Sequence, residues 1–210
     1  LIFGCFLLDY NLANIIHEFG HVFGGILIGG HSFAVSSNPF SWSETTLFDA
    51  AGLMTTWGGI LWSDALVLTV FLILYQFRSP VTFPVLFWCS LTFLVNGIYF
   101  AAGSLMDVGD PASLISNGYN RYGLFGIGAA SMVLGVGSSV ASIGSLGVHS
   151  PTYSRSATIC VISLPILAYL SAILIYTLFW NVAEIGVWGT FAGVGAVSTF
   201  GLSLLIYFVG

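Results

Sequence analysis

The sequence predicts an all-α, polytopic membrane protein with about six transmembrane helices and a short polar hairpin or loop after the first helix. The first observation behind this prediction is composition, since 57% of the 210 residues are hydrophobic and only 5% are Asp, Glu, Lys or Arg. A soluble domain carries about 25% charged residues, so we expect the lipid bilayer to be the solvent for most of this chain. The second observation is length, because the apolar runs reach the roughly 20 residues that a spanning helix needs.

The predicted spans are joined by short connections into a single domain, residues 1–210, which we expect to be an integral, multi-pass membrane protein. Two glycines, Gly29 and Gly30, close the first apolar run and favour a helix stop there. Leu1 already lies inside an apolar run, so we expect further sequence before it. The six predicted spans are residues 2–28, 50–76, 81–104, 122–146, 156–180 and 185–208.

Two polar segments interrupt the apolar runs. Residues 31–49, HSFAVSSNPFSWSETTLFD, are rich in Ser and Thr and alternate weakly, which predicts a short hairpin or loop at the membrane face. Residues 103–123 break the third run, and Asp110 before Pro111 predicts a helix that restarts with Asp110 as its N-cap. Irregular backbone is therefore expected at two places next to predicted spans.

Charge and glycine patterns exclude two kinds of ligand. The chain has no Lys, and its cations, Arg78, Arg121 and Arg155, are isolated, which excludes the clustered positive charge of a nucleic-acid surface. Small residues in 123–147 and 186–201 recur at spacings of four within apolar runs. This pattern is typical of close helix packing in lipid rather than of a phosphate-binding loop. The oligomeric state is left open by these patterns.

A cluster of ionisable residues within the first predicted span marks a candidate site. His17, Glu18 and His21 form the pattern HExxH. On a helix, positions i and i+4 share one face about 6 Å apart along the axis, so both imidazoles can reach one metal ion while the glutamate reaches a nearby water. Two alternatives stay open: a structural His–Glu pair that joins helices, and a haem held by the two histidines.

A catalytic zinc site needs a third protein ligand and leaves its fourth position for water. Asp107 and Asp110 lie at the break in the third apolar run. Irregular backbone at membrane depth can line a cavity there and direct a carboxylate toward the first helix. Further candidates for the third ligand are Asp64, Glu44, Asp49, His31, His149 and Glu184.

Four features together resemble the site-2 protease family of intramembrane zinc metalloproteases. They are the HEFGH helix ending at a glycine pair, the polar segment after it, a second span that begins AAGLMTTWGG, and a helix with Asn96 followed by a broken segment that carries an Asp. The resemblance covers residues 1 to about 118, the expected catalytic core, to which residues 119–210 would add three further transmembrane helices. It implies a zinc metalloendopeptidase that cleaves transmembrane segments of other membrane proteins.

The resemblance also implies a role for each residue of the site. His17, His21 and an Asp would hold Zn²⁺, and Glu18 would act as general base on a water molecule. Asn96 would bind the substrate backbone or, alternatively, join helices. The polar segment after the first helix would offer a strand edge to an unwound substrate.

The choice of the third ligand is where the sequence departs from the family. The family's Asp often stands in an Asn-Pro…Leu-Asp-Gly pattern, whereas here Asn96 lacks the proline and the segment reads LMDVGDP. We favour Asp110, in the stretch GDPASLI, as the third ligand. Asp107 is the alternative, because it resembles the Leu-Asp element.

Two other classes of function stay open beside proteolysis. A CaaX-type membrane protease would take a downstream Glu as its third ligand, and Glu184 is the acid in that region, without an ExxxD-like neighbourhood. A membrane metal-binding or transport protein without protease activity would carry polar residues along several spans. The last three predicted spans contain few ionisable groups, which favours the protease.

Overall fold

The structure of the protein is a computed structural model that describes residues 2–36, 44–48 and 52–146. The described chain is mostly helical, as the sequence predicts. The fifth and sixth predicted spans, residues 156–180 and 185–208, lie outside the described residues. In chain order the elements are α1 (Ile2–Leu27), β1 (Phe33–Ser36), β2 (Glu44–Leu47), α2 (Leu53–Tyr75), α3 (Phe83–Met106), α4 (Gly109–Ser116) and α5 (Arg121–Gly144).

Three of the described helices, α2, α3 and α5, are long and apolar enough to cross a membrane. They correspond to the second, third and fourth predicted spans. The first predicted span, α1, has 26 residues but is not among these three helices. Asp9, Asn11 and the HExxH residues lower its hydropathy. A bundle of six membrane spans stays a prediction.

The end of α1 follows the glycine pair. Gly29 has a φ of +92°, a left-handed conformation that glycine adopts without steric penalty. Its N–H donates to the carbonyl of Ile26, and the N–H of Gly30 donates to the carbonyl of Gly25. This pair of hydrogen bonds is a Schellman motif, and it turns the chain out of the helix and into the hairpin.

The polar segment after α1 contains the predicted hairpin. Strands β1 and β2 pair antiparallel, with Phe33 opposite Leu47 and Ser36 opposite Glu44. Both strands pack against α1. The Thr45 hydroxyl of β2 donates a hydrogen bond to the Glu18 carboxylate, so the hairpin lies against the part of α1 that carries the HExxH pattern.

Helix α3 occupies the middle of the described bundle. In its most apolar stretch 78% of the residues are buried, against 22% in α2 and 33% in α5. It packs against α1, α2 and α5, and its fully buried side chains include Phe87, Phe93 and Phe100. Polar groups on α3 are therefore enclosed by its neighbours, and its buried Asn96 faces the helix that carries the histidines.

Glycines let two helix pairs pack backbone against backbone. A Cβ on Gly20 of α1 would collide with the carbonyl of Gly58 in α2. Between α3 and α5, a Cβ on Gly128 would lie 2.5 Å from the backbone nitrogen of Ala101. Close helix packing is thus confirmed for the first of the two glycine-rich segments, while the second, residues 186–201, lies outside the described residues.

The break between α3 and α4 corrects one local prediction. Asp107 ends α3 in the left-handed conformation, with φ +55°, and α4 begins at Gly109 with Val108 as its N-cap. Asp110 is therefore not the N-cap that the Asp-Pro pair predicts. It lies inside the first turn of α4, which leaves its carboxylate available to reach α1.

Gly128→Ala is expected to lower the free energy of unfolding by about 1–3 kcal/mol, the usual cost of adding a group to a packed interface. Gly126→Ala is the matched control on the same helix, because a Cβ there meets no described atom within 4 Å. The control should be neutral or stabilise by up to about 1 kcal/mol through helix propensity. Unfolding of the purified protein in detergent, followed by circular dichroism, measures both variants. Equal effects would contradict the backbone contact between α3 and α5.

Candidate metal centre

The site is built on one face of α1. His17 and His21 lie one helical turn apart, and they are only 9% and 8% exposed. The first turn of α4 brings Asp110 to the same place. Its Oδ2 lies 3.2 Å from Nε2 of His17 and 3.3 Å from Nε2 of His21. The two Nε2 atoms are themselves 3.2 Å apart, so the three atoms form a nearly equilateral triangle.

These distances fit a single bound metal ion. Ligand atoms held about 2.0–2.1 Å from a tetrahedral zinc lie about 3.3–3.4 Å from one another, close to the sides of this triangle. Two imidazole nitrogens and one carboxylate oxygen are donors that zinc accepts. Within residues 2–36, 44–48 and 52–146, the only group of His, Cys, Asp or Glu side chains placed to hold a metal ion is His17, His21 and Asp110.

Hydrogen bonds at the far ring nitrogens fix both histidine tautomers. Nδ1 of His21 lies 2.8 Å from the backbone carbonyl of Thr55, and a carbonyl only accepts, so the ring proton is on Nδ1. Nδ1 of His17 lies 3.0 Å from Oδ1 of Asn96, with the same consequence. Metal-binding histidines are commonly oriented by such bonds. Both Nε2 atoms therefore turn a lone pair toward Asp110.

The three convergent atoms need a cation among them. When both rings are neutral and protonated at Nδ1, each Nε2 turns a lone pair toward the negative Asp110 carboxylate, and no hydrogen lies between these atoms, which are 3.2 to 3.3 Å apart. Buried polar groups without a partner are costly. A proton would satisfy one pair of these atoms, whereas a metal ion would satisfy all three at once. The side chains present therefore fit a metal ion.

Asp110 is held in place from α3. Its backbone N–H donates to the hydroxyl of Tyr99 at 3.0 Å, and the Tyr99 ring packs edge-on against His17. Burial by itself raises the pKa of the Asp110 carboxyl, but when the rings of His17 and His21 carry a second proton, their hydrogen bonds to the carboxylate outweigh burial and hold the pKa below its ordinary value. The carboxyl group is therefore an anion, the form that binds a cation.

Gly59 of α2 leaves the space that the imidazoles occupy. A Cβ at this position would lie 2.6 Å from Nε2 of His21 and 2.7 Å from Nε2 of His17. Such short separations are not tolerated between these atoms, so any larger residue would push the rings away from Asp110. Glycine at this position is thus part of the metal centre, although it supplies no side chain.

Glu18 lies beside the three ligands, in a cavity of about 190 Å³ that they also line. Its side chain is buried, and its Oε2 accepts a hydrogen bond of 2.7 Å from the Thr45 hydroxyl. Because Thr45 belongs to β2, the hairpin forms one wall of the cavity. The cavity is large enough for water molecules, and a carboxylate in its wall can take a proton from one of them.

The structure brings the HExxH residues together with Asp110 and not with Asp107. The Asp107 carboxylate is bound by the Arg121 guanidinium at 2.5 and 2.6 Å. Arg121 also donates to the carbonyl of Leu105, so this pair links the end of α3 to the start of α5. Of the two aspartates in the broken segment, Asp110 is the one with the geometry of a ligand.

The remaining candidate ligands have other surroundings. Asp64 accepts a hydrogen bond from Asn96, and Glu44 is exposed where it lines the cavity. His31 follows the turn after α1, with Nδ1 3.4 Å from the carbonyl of Gly29. Outside the described residues lie Asp49, His149 and Glu184.

Asn96 is only 2% exposed, and both ends of its amide are engaged within the protein. Oδ1 faces His17 of α1, while Nδ2 donates to Ser63 at 2.6 Å and to Asp64 at 2.7 Å, both on α2. These contacts join three helices, which is one of the two roles that the sequence suggests for Asn96. Substrate binding by Asn96 stays a prediction.

Three residues of the centre are not found by reading the sequence: Gly59, Tyr99 and Thr45. Tyr99 follows Asn96 by three positions, so both lie on one face of α3. This spacing is a sequence feature that could have placed Tyr99 near the site. Gly59 belongs to a pair of glycines, which indicates close packing but does not identify the group that packs against them. Thr45 gives no local signal, because its contact with Glu18 spans 27 residues of sequence.

Comparison of the chain with protein-family models, with curated proteins and with solved structures finds no match.

Asp110→Asn is expected to weaken zinc binding by more than about 100-fold, because loss of a ligand should exceed the 10- to 100-fold cost of losing an outer contact. Asp107→Asn is the matched control, since asparagine tolerates the left-handed backbone there and Asp107 is bound to Arg121 instead. The control should keep the zinc affinity of the unaltered protein. Competition with a chromophoric chelator in detergent measures both affinities, and the reverse order would make Asp107 the ligand.

Proposed function

We propose that this protein is an intramembrane zinc metalloprotease that cleaves transmembrane segments of other membrane proteins. The observation that carries the proposal is the meeting of two kinds of group in one cavity. The triad of His17, His21 and Asp110, which could hold a metal ion, and the separate carboxylate of Glu18 line the same space. A separate carboxylate beside the candidate ligands is the kind of group that a hydrolytic site needs as its general base.

His17, His21 and Asp110 would hold the zinc ion. When bound, zinc supplies Lewis-acid polarisation of a carbonyl group and makes water a stronger acid near neutral pH. Three protein ligands leave one tetrahedral position for water or substrate, as in catalytic rather than structural zinc sites. The three ligands would therefore leave the fourth zinc position free for water or substrate, as hydrolysis requires.

Glu18 would act as the general base and then as the general acid. The water oxygen attacks the peptide carbonyl carbon while one water proton passes to the Glu18 carboxylate. The carbon–nitrogen bond then breaks, and the proton passes from Glu18 to the leaving amine. The Thr45 hydroxyl orients the carboxylate through its bond to Oε2, while the remaining lone pairs of a carboxylate can still accept that proton.

The substrate would be a transmembrane helix that unwinds locally before it is cut. An intact helix has its carbonyls bonded within itself and offers none to a nucleophile. The hairpin of β1 and β2 lies against α1 beside the cavity, and a strand edge can pair with an unwound segment. We expect the extended substrate to be held there, next to Glu18.

Glu18→Gln is expected to lower the rate of peptide-bond cleavage by at least about 100-fold, within the 10²- to 10⁴-fold range of general-base catalysis. Glutamine removes the proton acceptor but leaves the three metal ligands, so the zinc content should not change. The measurement is cleavage of a model transmembrane substrate in detergent or proteoliposomes, with zinc content determined on the same samples.

Glu44→Gln is the matched control, since Glu44 lines the same cavity but is exposed, and it should cleave at nearly the normal rate. Cleavage that persists in Glu18→Gln would remove Glu18 as the base. Zinc binding without cleavage by the unaltered protein would instead favour a membrane metal-binding protein.

A further inference from the structure

We infer that Asp64 is a positioning residue of the metal centre, which acts on His17 through Asn96. The three side chains form a relay across three helices: Asp64 on α2, Asn96 on α3 and His17 on α1. The relay has two hydrogen bonds, 2.7 Å from Asn96 Nδ2 to Asp64 Oδ1 and 3.0 Å from His17 Nδ1 to Asn96 Oδ1. The inference rests on the metal binding in the proposed function, but it does not depend on proteolysis.

The relay matters because an asparagine amide can turn either its oxygen or its NH₂ group toward His17. With Oδ1 toward His17, the amide accepts a proton and keeps it on Nδ1 of the ring. With the amide reversed, its NH₂ group would donate to Nδ1 and move the ring proton to Nε2. A proton on Nε2 blocks coordination, so the direction of this one amide decides whether His17 can be a ligand.

Asp64 and Ser63 together fix that direction. A carboxylate only accepts, so Asp64 selects the NH₂ end of Asn96. The Ser63 hydroxyl donates to the carbonyl of Gly59 at 2.5 Å, which leaves its oxygen to accept the second N–H of Asn96 at 2.6 Å. Both N–H groups are then used on the α2 side, and Oδ1 can only face His17.

Asp64 does not belong to the group of side chains placed to hold a metal ion, which separates its role from that of a ligand. It stands in the second span as an acid that the sequence offers as a possible third ligand. Its described hydrogen-bond partners are instead the amide of Asn96 and the hydroxyl of Ser131. Outer contacts of this kind orient metal-binding histidines, and their loss typically costs 10- to 100-fold in metal affinity.

Asp64→Leu removes the acceptor while keeping the size of the side chain, and we expect it to weaken zinc binding by about 10- to 100-fold. Asn96→Asp should also weaken zinc binding, because it sets a second carboxylate against Asp64. Combining Asp64→Asn with Asn96→Asp exchanges the two groups. The new carboxylate then accepts from both His17 and the new amide, so the double variant should bind zinc more tightly than Asn96→Asp alone.

Zinc affinity is measured by chelator competition on the purified full chain in detergent, and thermal unfolding of the zinc-free protein checks folding. Unchanged affinity in Asp64→Leu, or a double variant that binds no better than Asn96→Asp, would overturn the relay. If Asp64→Leu does not fold, the exchange decides, because it preserves the size and total charge of the pair.

Failure of zinc binding in the unaltered chain would overturn the relay as well. Cleavage plays no part in this readout. A protein that binds zinc with the expected dependence on Asp64 but cuts no substrate would therefore overturn the proposed function and leave the relay intact.

Discussion

The central constraint in the structure is that three candidate ligand atoms meet inside an apolar helix bundle. Two imidazole nitrogens and a carboxylate oxygen lie 3.2 to 3.3 Å apart in buried surroundings, where unpaired polar groups are costly. A shared metal ion would remove that cost. Each candidate ligand also has a hydrogen-bond partner on another helix, so the contacts that position the three ligands link α1, α2, α3 and α4.

Helix α3 supplies most of the contacts that position the three candidate ligands. Asn96 and Tyr99 lie on one face, where Asn96 bonds the ring of His17 and Tyr99 bonds the backbone of Asp110. The helix is enclosed by α1, α2 and α5, and glycines such as Gly128 let those neighbours approach its backbone. Packing and chemistry are therefore coupled, because a shift of α3 would move supports on both sides of the metal centre.

The sequence predicts the features that depend on local spacing and turn chemistry, but it does not predict contacts between residues that are far apart in the chain. Spacing alone identifies the HExxH residues, and glycine chemistry identifies the end of α1. The choice between Asp107 and Asp110 needs the backbone, because Asp107 adopts a left-handed conformation and turns to Arg121. The support from Thr45 has no counterpart in spacing or periodicity, because the hairpin must first fold back onto α1.

X-ray absorption spectroscopy of the zinc-loaded full chain in detergent tests the central claim most directly. A centre made by His17, His21 and Asp110 predicts four-coordinate zinc with two imidazole nitrogens at about 2.0–2.1 Å and oxygen donors at about 2.0–2.2 Å. The multiple-scattering signal of two imidazole rings should be present, and sulfur should be absent from the coordination sphere. A sulfur ligand, or fewer than two imidazoles, would contradict this metal centre.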